Sequence, residues 1–273
     1  MKRTLLFTLG MLLVSSMALA QTKASSTTHK QTTQKRVKRL GGISCGSDPI
    51  LPTDGYTTIY DFVPPSSSSY YLVHLKNGHS YGAEVYDSTD ATISATAQLS
   101  LISASDCATV LPTTDVVSID PDLSNDFADR ISWIQSGDAD AVLVVANPDS
   151  TVSYSYNIRI ADTTLVNPRW STFSGFITQY AFVNNTETTI TGTLTLVDNT
   201  AGGPYTTNFT VPAGGESFQT VPSSSLNVPP NHFGFATFAF VGPAGAIVAD
   251  AYFINPSGTV IVPSIFAPRN YQH

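Results

Sequence analysis

The sequence predicts an all-β protein: two tandem antiparallel β-sandwiches, jelly-roll-like, behind a signal peptide and a basic, disordered linker. Three observations carry that expectation. Past Gly41, apolar and polar residues alternate with period two, as in Val152, Tyr154, Tyr156, Ile158 and Ile160 with Ser, Asn and Arg between them. Clusters of Gly, Pro, Asn, Asp and Ser break the alternation at short intervals. Charged residues make up only 12% of the chain, against about 25% in an ordinary globular protein, so Ser, Thr, Asn and Gln must wet the surface.

The N-terminus reads as an address. Met1-Lys2-Arg3 is followed by an apolar run from Leu5 to Val14 and by Ala18-Leu19-Ala20, a small-x-small cleavage pattern. The apolar run is too short to span a bilayer, and no later run of about 18 apolar residues follows. Cleavage near Ala20 would send the protein out of the cytoplasm, to the periplasm or the extracellular space. Residues 21–40 carry six bases and no acid, ending in Lys35-Arg36-Val37-Lys38-Arg39. This segment has nothing to bury and reads as a linker. As a solvated tether it needs no partner; as an electrostatic arm it would grip an anionic surface through Lys35, Arg36, Lys38 and Arg39.

Residues 41–165 hold sixteen acids and three bases, and residues 166–273 hold four acids and two bases. That shift marks the expected boundary between the sandwiches. Strands are predicted over 57–63, 70–75, 79–86, 95–102, 129–134, 141–146 and 151–160 in the first, with Asn77-Gly78 as the clearest hairpin turn. The second is predicted to have strands over 176–183, 188–197, 205–211, 218–221, 234–241, 246–254 and 259–266, with 165–169 as a short junction. Nucleic acid is a poor partner for so acidic a body.

Chemistry-bearing residues are sparse. Two cysteines cannot build a four-thiolate zinc or iron–sulfur site, and in an exported chain Cys45 and Cys107 are expected to pair. Closing that loop would stabilise the fold by roughly 4 kcal/mol. Gly78-His79-Ser80-Tyr81-Gly82 is a literal G-x-S-x-G. A nucleophile elbow, however, needs a helix after the serine, and here a strand follows. His232 has no acid near it in sequence. Asp120, Asp122 and Asp126 form an acidic loop that can be a solvated, turn-capping segment or a candidate calcium site, though without the EF-hand spacing. Tyr70, Tyr81, Tyr154 and Tyr156 lie on strands, where rings either pack the core or stack on a ligand. Asn184-Asn185-Thr186 and Asn208-Phe209-Thr210 fit the glycosylation sequon.

Tyr60-Asp61-Phe62-Val63-Pro64-Pro65, the run from Asn77 to Tyr86, the strand 95–102 and the closing strands 140–147 and 153–160 resemble the bacterial pre-peptidase C-terminal domain. The resemblance covers about residues 50–162. It implies a jelly-roll sandwich appended to exported proteins, in some members calcium-binding or polymer-binding, and a G-x-S-Y segment without a nucleophile. The second half is similar to exported bacterial sandwich modules with no assigned activity. The expected function is therefore non-catalytic recognition of a polysaccharide, a cell-envelope component or an extracellular protein. Two competing classes are a secreted hydrolase or calcium-dependent enzyme that uses the acidic loop, and an exported structural protein without a discrete ligand.

Overall fold

The computed structural model describes residues 48–87, 97–116, 127–200 and 202–268. Cys45, the basic run 35–39, the signal segment and Asp120, Asp122 and Asp126 lie outside the described residues. Within them the protein is all-β and its sheets are antiparallel; the one helical element is a three-residue 3-10 turn, Phe173–Gly175. No helix among the described residues is long and apolar enough to cross a membrane.

Among the described residues, eight strands form the first half: β1 (Ile59–Val63), β2 (Ser67–Leu75), β3 (Ser80–Asp87), β4 (Gln98–Ser103), β5 (Thr114–Asp115), β6 (Phe127–Ile134), β7 (Ala139–Asn147) and β8 (Tyr154–Asp162). They make a five-stranded sheet, β1-β8-β3-β6-β5, and a three-stranded sheet, β2-β7-β4. The pairings nest: β1 with β8, β2 with β7, β3 with β6. The chain therefore crosses between sheets at nearly every turn. Asn77-Gly78 is a case in point, and it corrects the hairpin expectation. Gly78 has the positive φ (73°) that the turn chemistry demands, but the turn carries the chain from β2 in one sheet to β3 in the other. Gly78 N–H donates to the Gln135 carbonyl, and Asn77 braces the neighbouring arch by accepting from Gly137 N–H.

The core of this half lies between its two sheets and includes Tyr71, Tyr81, Val85, Leu101, Trp133, Leu143, Tyr156 and Ile158. Tyr71 and Tyr156 share a 2.7 Å hydroxyl–hydroxyl bond, and Tyr71 also donates to Asp61. Burial, with the Tyr156 and Asp61 oxygens beside it, pushes the Tyr71 phenol far above its ordinary range, so it stays a neutral donor.

The second half begins with β9 (Leu165–Ser171) and continues with β10 (Ile177–Asn184), β11 (Ile190–Asp198), β12 (Tyr205–Val211), β13 (Glu216–Val221), β14 (Phe233–Phe240), β15 (Ile247–Ile254), β16 (Val260–Ile265) and β17 (Ala267–Pro268). Its sheets run β12-β11-β14-β9-β17 and β13-β10-β15-β16. Between them lies a second core, rich in Phe182, Phe238, Phe240, Tyr180 and Trp170. The stretch 165–169, expected as a connecting junction, is a strand. Pro168 hid it from a propensity reading. It is tolerated because two residues, Pro168 and Arg169, stand opposite the single Phe235 in a bulge. Trp170, fully buried, closes this bulge by donating its indole N–H toward the Phe235 and Val197 carbonyls at 3.0 and 3.2 Å.

Gly234 sits at the same bulge, and a β-carbon there would stand 1.7 Å from the Val197 carbonyl oxygen. Gly234→Ala is expected to destabilise the protein by roughly 2–4 kcal/mol in urea unfolding. Gly214→Ala, at a φ of 57° but with open space around it, should lose only about 1 kcal/mol.

Candidate functional site

The two halves are joined by only two residues, Thr163 and Thr164, and these are held by the G-x-S-x-G segment. Ser80 is fully buried. Its main-chain N–H donates to Thr164 Oγ1 (2.9 Å), its carbonyl accepts from Thr163 N–H (2.8 Å), and its hydroxyl accepts from Thr163 Oγ1 (3.1 Å). Beside it, His79 Nδ1 lies 2.7 Å from Asp162 Oδ2, while Asp162 Oδ1 accepts from Thr164 N–H. A covered serine at the start of a strand does not meet the exposed strand-to-helix geometry of a nucleophile elbow. A second tie fixes the β14–β15 connection: Ser132 Oγ donates to the Tyr81 carbonyl and accepts from Gly242 N–H at 3.0 Å.

These ties frame a cleft of about 520 Å³. Its floor is the outer face of the five-stranded sheet. Glu84 on β3 stands in register with Arg130 on β6 and Arg159 on β8. Arg130 Nε donates to Glu84 Oε2 at 3.1 Å and Arg159 Nε donates to Oε1, so one carboxylate bridges two guanidiniums across three strands. The facing wall comes from the second half and includes Pro243, Ala244 and Val248. At one end Asp54 accepts from Tyr56 N–H, Thr57 N–H and the Thr57 hydroxyl. Burial works to raise the Asp54 pKa, but these hydrogen bonds outweigh it and hold the carboxyl below its usual value.

One row along the same face, Asn157 on β8 is flanked in register by Tyr60 on β1 and Tyr86 on β3. The Arg159 guanidinium lies over the Tyr86 ring, 5.6 Å from its centroid. Tyr60 and Phe62 on the edge strand are exposed, as is Tyr56 at the cleft. An aromatic–amide–aromatic row thus adjoins an Arg–Glu–Arg row. No protein-family model matches the chain, and no curated protein matches it either.

The tyrosines singled out from sequence lie elsewhere. Tyr81 and Tyr156 are 1% and 0% exposed, so they are core rings, with no surface for a ligand. Tyr154 packs against that core and stacks on Tyr156, and Tyr70 is half-buried against a small cluster of Leu72, Ile102, Val142 and Val144. Cys107 lies in the connection after β4 at a φ of 56°; its expected partner Cys45 is outside the described residues. Of the two sequons, Asn184 is buried, donating to the Thr188 and Val211 carbonyls, whereas Asn208 is exposed on β12. Among the described residues no group of three or more His, Cys, Asp or Glu could hold a metal ion.

Sequence reasoning missed the residues of the cleft floor. Their signal was present: Arg130 and Arg159 are two of only three bases in residues 41–165, and each sits mid-strand beside isoleucine, Arg130 before Ile131 and Arg159 between Ile158 and Ile160. It also missed the acid for His232. Asp198, 34 positions away, places Oδ2 2.5 Å from His232 Nδ1 and accepts from the Thr200 hydroxyl. The Asp198 side chain is fully covered. That covering works against its charge, but the hydrogen bonds from Thr200 and His232 prevail and lower its pKa.

A carboxyl with a depressed folded pKa stabilises the fold above its unfolded value, about 3.9, and loses that contribution as pH falls through the folded value. Asp198→Asn is therefore expected to lower stability by about 1–3 kcal/mol at pH 7. The gap to the parent protein should narrow between pH 4 and pH 2 in urea unfolding.

Proposed function

We propose that this is an exported, non-catalytic recognition protein built of two β-sandwiches, the first ending with β8 and the second starting with β9. It binds a glycan, an envelope component or a matrix polymer through a sheet face and its loops. The observation that carries this reading is the pair of rows on the outer face of the first half. Tyr60, Asn157 and Tyr86 stand beside Arg159, Glu84 and Arg130 at the mouth of a cleft. An exposed ring, Tyr60, and a half-buried one, Tyr86, next to paired planar polar groups combine apolar contact with directed hydrogen bonds, the mixture that ligand sites use.

The nested pairing of β1 to β8 supports reading the first half as a jelly roll, in line with its resemblance to the pre-peptidase C-terminal domain. The basic segment 35–39 adds a long-range attraction to anionic surfaces, and Cys45 pairs with Cys107. Asp120, Asp122 and Asp126 are a candidate calcium site in this reading, and the competing reading is a secreted hydrolase or calcium-dependent enzyme that uses the same acidic loop.

Pull-downs on cell-envelope fractions and insoluble polysaccharides at low and high salt test the proposal with two forms of the chain, 21–273 and 41–273. Both forms are expected to bind, and binding by 41–273 should persist in high salt. Retention by the longer form alone, lost in salt, would assign the activity to the tail. Absence of binding by either form would overturn the reading.

A further inference from the structure

We infer that the cleft between the two halves takes an uncharged saccharide, an inference that rests on the recognition reading above and narrows its ligand class. Three features of the floor lead there. The first is that the floor is made of interior strands: β3 lies between β8 and β6, and β8 lies between β1 and β3. Their main-chain groups are committed to neighbouring strands. A bound peptide gains its affinity largely from main-chain hydrogen bonds at an open sheet edge, and this floor offers only side chains.

The second feature is charge. Glu84 stands between the two guanidiniums and offsets one of them, and Asp54 and Asp162 bring two further carboxylates to the lining. Among the described residues the lining carries three acids and two bases, within a body, residues 41–273, of twenty acids and five bases. A uronate, phosphate or sulfate would enter a negative field there.

The third feature is the match between amphiphilic surfaces. A pyranose carries hydroxyls around its edge and C–H bonds on its faces. The guanidinium of Arg159 has five N–H donors in one plane, of which Nε serves Glu84, and its side chain remains 37% exposed at the cleft. Adjacent carboxylate oxygens accept from hydroxyls. Tyr60 offers an exposed ring one row away, Tyr86 holds the Arg159 guanidinium over its own ring, and Val248 and Pro243 close the apolar side. A volume of about 520 Å³ falls within the range of small-ligand sites.

The test uses residues 21–273 and a panel of neutral oligosaccharides of two to four sugars, their uronate counterparts and unstructured peptides, read by titration calorimetry. Two variants accompany the parent. Val248→Trp fills the cleft from its exposed wall, and Tyr60→Ala removes an exposed ring; unchanged melting temperatures establish that both fold. Neutral oligosaccharides are expected to bind the parent, with at least tenfold weaker binding to each variant. Binding confined to uronates or peptides would overturn the inference, as would neutral-sugar binding untouched by Val248→Trp. Envelope pull-down without any oligosaccharide binding would overturn it while leaving the broader reading in place. Loss of both would remove the two together.

Discussion

Thr163 and Thr164, held by the main chain and hydroxyl of Ser80, decide how the two sets of sheets meet. A two-residue connection between strands that belong to different cores leaves little slack. Each buried hydrogen bond contributes only about 0.5–1.5 kcal/mol net, but leaving one unmade inside the protein is costlier. The set gives the Ser80 N–H, carbonyl and hydroxyl a partner each, and the His79–Asp162 pair continues it toward the surface. The cleft follows from this arrangement, because Ser132 then receives Gly242 N–H and brings the β14–β15 connection over the sheet. Serine, histidine and aspartate are thus close together at the seam without the geometry of a triad, since the serine hydroxyl is engaged by threonine.

The charge placement on the cleft floor is uneconomical as a stabilising device. Half-buried ion pairs gain little over apolar packing, and removing one member strands the others. In a chain so poor in charge, three charged residues in register across three central strands would gain more for stability as valines. Arg130 is nearly covered, yet Arg159 stays partly open and stacks on Tyr86. A graded row of this kind, closed at one end and open at the other, holds its open member rigid without the entropy loss of ordering a free arginine at binding.

Much of the strand pattern was legible, because period-two alternation on half-buried sheets is a strong signal. The expected segment 205–211 coincides with Tyr205–Val211, and most others differ by a few residues at their ends. Partnership was not legible. Asn77-Gly78 specifies a bend, and the bend is there, but sequence does not say whether the next strand rejoins the same sheet or crosses to the other. Pro168 masked a strand whose bulge exists only through its partner, β14. The cleft residues were hidden for a related reason: Tyr60, Asn157 and Tyr86 become neighbours through pairings that span 71 to 97 positions. In Ile59-Tyr60-Asp61-Phe62-Val63 both phases carry large apolar or aromatic residues, Ile59 and Val63 on one and Tyr60 and Phe62 on the other, so periodicity could not tell which face is turned out. Asp198 and His232 are likewise joined by tertiary structure alone.

The pairing of β1 with β8 also has a cost in assembly. β1 finds its partner only in Tyr154–Ile158, so its pairing closes a loop of roughly a hundred residues, the costliest closure of the large sheet. β8 leads directly into β9. Closure of one half therefore delivers the anchored first strand of the other, and the chain need not search for how its two halves should face each other.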